Sequence, residues 1–270
     1  MRHLISSILI ATIAVLSCSD DDSMLKPKDD GIITVGIYVG DGASQDSYIA
    51  AQKMFQWMNY KIKFIDATII NLGEIHTIDI FYFPGGIEDH YREDISSEGR
   101  FNIKTMVYAG SSYIGSGAGA IYAGTRYVQA GAIFETGMLA LFAGDLVDRS
   151  LLDVSSTDYF MCLVDYEKPH PIIEFSRQSD WMLYYNSPYM EPYDELNYDV
   201  IGRYHLNHQI ALIAFEFGKG RVFLTGPHPE FEEDDERDGV SYFDGFNDQG
   251  SEWDMMKQAV EWCIRQDIQN

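Results

Sequence analysis

Basic residues are scarce in this sequence. Its 270 residues include 19 Lys and Arg against 42 Asp and Glu, which gives a formal net charge of −23. Proteins that bind nucleic acid neutralise its phosphates with Lys and Arg, so this composition argues against that class of partner. The same excess of acid disfavours electrostatic adsorption to an anionic lipid surface.

Cysteine is also scarce. Three cysteines are too few for a disulfide scaffold or a four-cysteine zinc site, and we predict neither a metal site nor a cofactor. Hydrophobic residues make up 46% of the chain and aromatic residues 14%, so disorder of the whole chain is excluded. The length fits one large α/β domain, or one domain with an insertion, better than two independent cores.

The N-terminus has the pattern of an exported lipoprotein. In residues 1–17, Arg2 precedes an apolar run that is too short to cross a membrane, which is typical of a signal peptide. Residues 15–18 (VLSC) resemble the bacterial lipobox, in which the cysteine, here Cys18, becomes the lipidated first residue of the mature protein. The alternative is an ordinary secretory signal in which Cys18 is accidental.

Residues 18–31 are expected to form an acidic tether, because they contain few apolar residues with which to bury surface. The acidic residues 20–22 resemble the export tag that follows the lipidated cysteine of some surface lipoproteins. We therefore predict a cell-envelope lipoprotein of the outer membrane, exposed at the cell surface and attached to the membrane by its acyl anchor only.

The rest of the chain alternates between apolar strands and amphipathic helices, and residues 32–268 are predicted to form one domain. Such alternation indicates βαβ units and a largely parallel sheet. Beyond residue 133 the alternation weakens, and residues 138–215 are predicted to be a β-rich insertion. A hairpin over 210–224 and a helix over about 252–266 complete the prediction. The predicted elements before the insertion are strands at 32–39, 61–65, 78–83 and 112–115, and helices at 46–58, 96–109 and from 117.

A glycine-rich turn follows the fourth strand. Residues 115–120 (GSGAGA) fit the dinucleotide fingerprint G-x-G-x-x-A, but they follow a late strand rather than the first strand of the sheet, which disfavours that interpretation. Two other interpretations stay open. The turn could serve only for tight packing of strand against helix, or it could be a nucleophile elbow of the form G-x-Nuc-x-G, with Gly117 at the nucleophile position and Ser116 beside it.

Two further turns are expected at the same edge of the sheet. Residues 225–230 (TGPHPE) place His228 on a stiff loop, where Glu230 could orient its imidazole. Residues 83–86 (FPGG) end a strand, so the amides of Gly85 and Gly86 could contribute to an oxyanion hole. Because the carboxyl ends of parallel strands share one edge, all three turns can meet there.

These turns, in this order, resemble the class I glutamine amidotransferase-like superfamily, and most closely the type named for the N-terminal region of biotin–protein ligases. The resemblance covers about residues 32–266 and includes residues 184–186 (YYN) and 218–221 (GKGR) besides the three turns. It implies a flavodoxin-like three-layer fold with a mostly parallel sheet. It also implies a catalytic Cys at the elbow, followed by His228 and Glu230, with Gly85, Gly86 and Ala118 around the oxyanion.

The sequence departs from that pattern at the reacting atom. The elbow cysteine is replaced by Gly117, so no side chain is present to form the thioester on which glutamine hydrolysis depends. One hypothesis is that His228 and Glu230 are a vestigial pair and that the pocket binds an unidentified small molecule or protein. The alternative is a hydrolase or transferase that uses this dyad with water or with Ser116.

Two remaining features bear on stability rather than on catalysis. Cys162 and Cys263 are expected to be buried thiols, although in an oxidising envelope they could form a disulfide. The acidic segment 232–238 only partly imitates a calcium loop, because Gly245 stands where such a loop needs Glu. A solvated acidic loop is the interpretation that we favour, and a weak calcium site is the alternative.

Overall fold

The computed structural model describes residues 31–148, 159–167, 169–174, 176–232, 236–246 and 250–264. The predicted signal peptide, Cys18 and residues 19–30 lie outside the described residues. Within the described ranges, no helix is both long enough and apolar enough to cross a membrane. The predictions about export and anchoring therefore stay predictions.

Five parallel strands form one end of a single sheet. They are β1 (Thr34–Tyr38), β2 (Lys61–Ile65), β3 (Ile80–Phe83), β4 (Ser112–Ser116) and β13 (Gly220–Thr225). Their order across the sheet is β2-β1-β3-β4-β13. Strands β1, β3 and β4 are buried along their whole length, as expected where helices cover both faces of a parallel sheet.

Helices cover both faces of these strands. They are α1 (Gln45–Trp57), α2 (Ala67–Asn71), α3 (Glu88–Asp94), α4 (Ser97–Ala109), α5 (Ala118–Ala123) and α6 (Trp253–Ile264). Helices α1 and α6 contribute to one hydrophobic cluster, whereas α2 to α5 contribute to another on the opposite face. The hydroxyl of Ser96 caps α4 by accepting a hydrogen bond from the amide of Gly99, at 3.1 Å.

A mostly antiparallel extension continues the sheet beyond β13. Its strands are β5 (Arg126–Gln129), β6 (Ala132–Phe134), β7 (Gly144–Val147), β8 (Tyr159–Tyr166), β9 (Ser179–Tyr185), β10 (Tyr189–Pro192), β11 (Asp199–Tyr204) and β12 (Ile210–Phe217). The path runs from β13 through β12, β10, β7 and β5 to β6, and β11, β8 and β9 form a branch beside β12. Within this extension, β5 and β7 pair in parallel. The branch places the end of β9 next to the loop that follows β13.

This architecture confirms the predicted α/β class, with three layers and a β-rich insertion. The predicted strand at 61–65 coincides with β2, and the predicted hairpin corresponds to β12 and β13. The short helices α2 and α3 were not predicted. Helix α3 carries five charged side chains in seven residues, and no side chain caps its N-terminus, so the usual helix signals are weak there.

Candidate functional site: the glycine elbow and its histidine

The elbow joins β4 to α5 through a single residue. Gly117 has φ +51° and ψ −112°, a backbone conformation that residues with a side chain rarely adopt. Its amide donates to the carbonyl of Thr225 at 3.1 Å, and its own carbonyl accepts from Ile121 in the first turn of α5. The glycine-rich turn therefore has the tight strand-to-helix geometry of a nucleophile elbow.

The neighbouring strand β13 delivers the histidine loop to the same edge. Thr225 at the end of β13 lies opposite Ser116 at the end of β4, because the two strands are parallel and in register. Beyond Thr225 the chain turns towards β9, and the amide of His228 donates to the carbonyl of Leu183 at 2.9 Å. Strand β9 thus holds the loop in place.

The imidazole of His228 fills the volume that a side chain at the elbow would need. A Cβ atom built on Gly117 would lie 2.5 Å from Cε1 and 2.7 Å from Nε2 of His228. A Cβ atom on Gly85 would also collide with Cε1 of this ring. The side chain of His228 is only 4% exposed, so the ring is packed against both glycines rather than lining an open pocket.

Both ring nitrogens of His228 already have hydrogen-bond partners. Nε2 lies 3.0 Å from the carbonyl oxygen of Tyr185, and Nδ1 lies 3.0 Å from Oε1 of Glu230. A carbonyl oxygen can only accept, so Nε2 must carry a proton. In this conformation Nε2 has no lone pair with which to take a proton from a nucleophile. The arrangement therefore orients the ring but does not present a general base to the elbow.

Glu230 is the centre of a buried network of hydroxyl groups. Its Oε1 atom accepts hydrogen bonds from Ser47 at 2.6 Å and from Ser116 at 3.1 Å, in addition to the contact with His228. Because the proton of Ser116 is directed at Glu230, the hydroxyl of Tyr82 donates to Ser116, over 2.9 Å. Burial, followed by the charge of Glu230, raises the pKa of Tyr82 well above its ordinary value, so Tyr82 stays protonated.

The structure brings the predicted site residues together, but several of them form contacts other than the predicted ones. Ser116 is fully buried, and its hydroxyl points to Glu230 rather than into the elbow. The amide of Gly85 donates to the hydroxyl of Ser47 at 2.9 Å, so it is not free to stabilise an oxyanion in this conformation. Gly86 forms a β-bridge with Ala43, and Ala118 is the first residue of α5.

Three residues of the site were not predicted. Ser47 is a buried hydroxyl on an otherwise apolar face of α1, which is the signal that could have identified it. Tyr82 lies in the middle of a buried strand, where its hydroxyl needs a partner. Tyr185 acts through its backbone carbonyl, for which its residue type gives no signal.

Neither cysteine of the described chain can act at the elbow. Cys162 on β8 and Cys263 on α6 are both buried, and they form no disulfide with each other in this structure. Burial raises the pKa of the Cys263 thiol to about 12. The described residues also contain no group of three His, Cys, Asp or Glu side chains that could hold a metal ion.

The interpretation of the acidic segment 232–238 as a solvated loop is wrong for its two ends. Glu232 and Asp238 are 2% and 1% exposed, although residues 233–235 lie outside the described part. Glu232 forms a salt bridge with Arg237, and Asp238 accepts hydrogen bonds from the amides of Glu232 and Val240. Because these carboxylates have hydrogen-bond and salt-bridge partners within the protein, their burial does not require a metal ion.

Several solved structures have the same fold as this protein. A protein from Thermoplasma acidophilum that is described as a GMP synthase subunit is similar, with 12% identity, a TM-score of 0.56, and coverage of 86% of this chain and 94% of that one. A glutamine amidotransferase from Thermotoga maritima has 8% identity and a TM-score of 0.52, with 86% and 88% of the two chains covered. A cytoplasmic protein from Salmonella typhimurium has 11% identity and a TM-score of 0.54, with 87% and 100% covered. At these identities the likeness concerns the fold alone, which is that of a glutamine amidotransferase-like domain.

A family model matches the first part of the described chain. Residues 33–138, which include the FPGG turn and the glycine elbow, match the family model described as the N-terminal part of biotin-protein ligase. No curated protein matches the sequence. The fold and the family match are both amidotransferase-like, and together they support the superfamily that the sequence motifs indicated.

Proposed function

We propose that this protein is a lipid-anchored component of the cell envelope whose amidotransferase-like domain binds a ligand or a protein and does not hydrolyse glutamine. One observation carries the proposal. Position 117 has the backbone of a nucleophile elbow but no side chain, and the imidazole of His228 occupies the volume where a nucleophile would stand.

Glutaminase chemistry needs a sulfur atom at the elbow and a base beside it. Gly117 supplies no atom that could form an acyl intermediate. Nε2 of His228 is directed at the carbonyl of Tyr185, so the usual path of the proton from the nucleophile to the imidazole is also closed. Two independent requirements of the reaction are therefore missing from the same site.

The alternative function is a hydrolase or transferase that uses the dyad of His228 and Glu230 with water or with Ser116. In this conformation Ser116 is fully buried and its hydroxyl donates a hydrogen bond to Glu230, and both ring nitrogens of His228 have hydrogen-bond partners. The alternative would thus require the histidine loop to move away from the elbow before any reaction.

Hydrolysis assays separate the two functions. Purified wild type, His228→Ala and Ser116→Ala are compared on panels of amides and esters, with His76→Ala as a control at an exposed histidine far from the site. We expect no turnover above background for any of the four proteins. Turnover by wild type and by His76→Ala that disappears in His228→Ala or Ser116→Ala would refute the non-catalytic role.

The lipid anchor is tested separately. The lipobox-like residues 15–18 support diacylation at Cys18, and the acidic residues after it support export to the outer membrane. In cells labelled with palmitate, we expect label on wild type and on a Cys263→Ser control, and none on Cys18→Ser. The wild type should fractionate with outer membranes. An unlabelled wild type found in the soluble fraction would exclude the anchor without affecting the proposal for the elbow.

A further inference from the structure

A groove lies along α4, on the face of the sheet that carries α2 to α5. We call it the α4 groove, and its volume is about 460 Å³, within the range of small-molecule sites. None of the elbow residues lines it. The lining residues that matter here are Arg100, Phe101, Lys104, Tyr108, Leu139 and Phe217.

Two basic side chains line the α4 groove, although the protein as a whole is acidic. Arg100 and Lys104 are one helical turn apart, so their side chains project from the same face of α4. No salt bridge of the described residues involves either of them. The nearby Glu98 accepts a hydrogen bond from the hydroxyl of Ser97, over 3.1 Å, and the charge of Arg100 also acts on its carboxylate. The guanidinium of Arg100 donates one hydrogen bond to the carbonyl of Ile95, at 2.5 Å, which leaves its other N–H groups for a ligand. Two cations outside any salt bridge are unusual in a chain with 42 acidic and 19 basic residues.

Aromatic side chains stand beside these cations. Phe101 is 69% exposed and Tyr108 is 64% exposed. Tyr108 packs edge-to-face against Phe217, with ring centroids 6.2 Å apart. The walls of the groove therefore offer apolar surface within reach of two positive charges.

The floor of the groove is held rigidly by backbone hydrogen bonds. The amide of Leu139 donates to the carbonyl of Tyr122 at 2.9 Å, and that of Ala140 to Gly124 at 3.0 Å. At the other end, the amide of Lys219 donates to the carbonyl of Tyr108 at 2.9 Å. Because the backbone around the groove is fixed before any ligand arrives, binding needs little reorganisation.

We propose that the α4 groove binds a small organic anion with an aromatic or aliphatic body. Its anionic group, a carboxylate or a chemically similar oxyanion, lies between Arg100 and Lys104. Its apolar body lies against Phe101, Tyr108 and Phe217. The net charge of the protein repels anions at long range, so the two cations select at short range a ligand that also has apolar surface to bury.

The test is a calorimetric titration of the full chain with 1-naphthoate, which has one carboxylate and one fused aromatic body. We expect Lys104→Gln to weaken binding about tenfold, since it removes one charged partner of the carboxylate. Lys257→Gln is the matched control, because Lys257 also lies beside an exposed aromatic ring, that of Trp57, outside the groove. This control should leave the affinity unchanged, and any binding elsewhere on the chain is common to all variants.

Two further ligands separate the contributions of charge and apolar surface. Neutral 1-naphthalenemethanol and inorganic phosphate should each bind at least about tenfold more weakly than 1-naphthoate. The alcohol has no negative charge for the two cations, and phosphate has no apolar body for the aromatic side chains. Equal binding by wild type and Lys104→Gln would overturn the proposal, as would phosphate binding as tightly as 1-naphthoate. A synthetic peptide of residues 19–30 is tested as a competitor. If this peptide binds the groove more tightly than 1-naphthoate does, the proposal is also overturned, since the groove would then hold a segment of the chain itself.

A second variant covers the case in which Lys104→Gln fails to fold. Thr105→Glu adds a negative charge at a half-buried position that lines the groove. With its circular dichroism and melting temperature unchanged, this variant should lose at least about tenfold in affinity for 1-naphthoate and little for the neutral alcohol. An equal loss for both ligands would indicate a merely steric effect and would refute the role of charge.

Discussion

The sharpest prediction concerns a methyl group added at the elbow. In Gly117→Ala, the new Cβ atom would lie 2.5 Å from Cε1 of His228, so the imidazole must leave its place. The positive φ costs about 1–2 kcal/mol for a residue with a side chain. The displaced ring loses its hydrogen bonds to Glu230 and to the carbonyl of Tyr185, at about 1 kcal/mol each. We therefore expect the free energy of unfolding to fall by about 3–4 kcal/mol.

A double-mutant cycle isolates the part that is due to the histidine. In a His228→Ala background the ring is absent, so Gly117→Ala should cost only the backbone term of about 1–2 kcal/mol. The coupling free energy is then about 2 kcal/mol. Gly131→Ala is the matched control, because Gly131 also has a positive φ, +85°, and a Cβ atom there would meet nothing within 4 Å. Urea denaturation followed by tryptophan fluorescence gives the free energy of unfolding of the four proteins in the cycle and of the Gly131→Ala control.

Two results would refute this reasoning. Additive effects within about 0.5 kcal/mol would mean that His228 does not occupy the elbow volume in solution. A loss in Gly117→Ala no larger than that in Gly131→Ala would mean that backbone strain alone explains the change. Either result would also remove the main support for the proposed non-catalytic role.

Three other predictions concern buried polar groups. Ser47→Ala removes one donor to the buried carboxylate of the site and should lower the free energy of unfolding by about 1–3 kcal/mol in the same urea assay. Burial raises the pKa of Glu88 in the folded protein, so its contribution to stability is full below the unfolded pKa and is lost as the pH rises through the folded pKa. Glu88→Gln should therefore stabilise the protein at pH 7 but not at pH 3, whereas exposed Glu93→Gln should have little effect at either pH; the opposite pH trend would contradict the assignment. At pH 8, Ellman's reagent should modify Cys162 and Cys263 only after unfolding, because both are buried and burial raises the pKa of the Cys263 thiol to about 12.

Local patterns were enough to predict most of the parallel half of the fold. The apolar strand at 61–65 and the hairpin over 210–224 each depend on residues close together in the chain. The meeting of Gly117 and His228 was also predictable, because parallel strands bring their carboxyl ends to one edge.

What the sequence could not predict depends on long-range contacts. Ser47 and Glu230 are 183 residues apart in the chain, and only the packing of α1 against the histidine loop makes them partners. The contact of His228 with Tyr185 uses a backbone carbonyl, so it has no signature in residue type. The orientation of Ser116 follows from its neighbours Tyr82 and Glu230, which local periodicity cannot place.

The contact of His228 with the elbow also bears on how this domain could evolve. Two of the four glycine codons become cysteine codons by a single nucleotide change. A cysteine side chain at position 117 would nevertheless collide with the imidazole of His228, so the new protein would be less stable than the present one. A working nucleophile at the elbow would therefore need a movement of the loop that carries His228 as well as the substitution itself. The packing of this ring against Gly117 thus separates the present sequence from a catalytic one by more than one change.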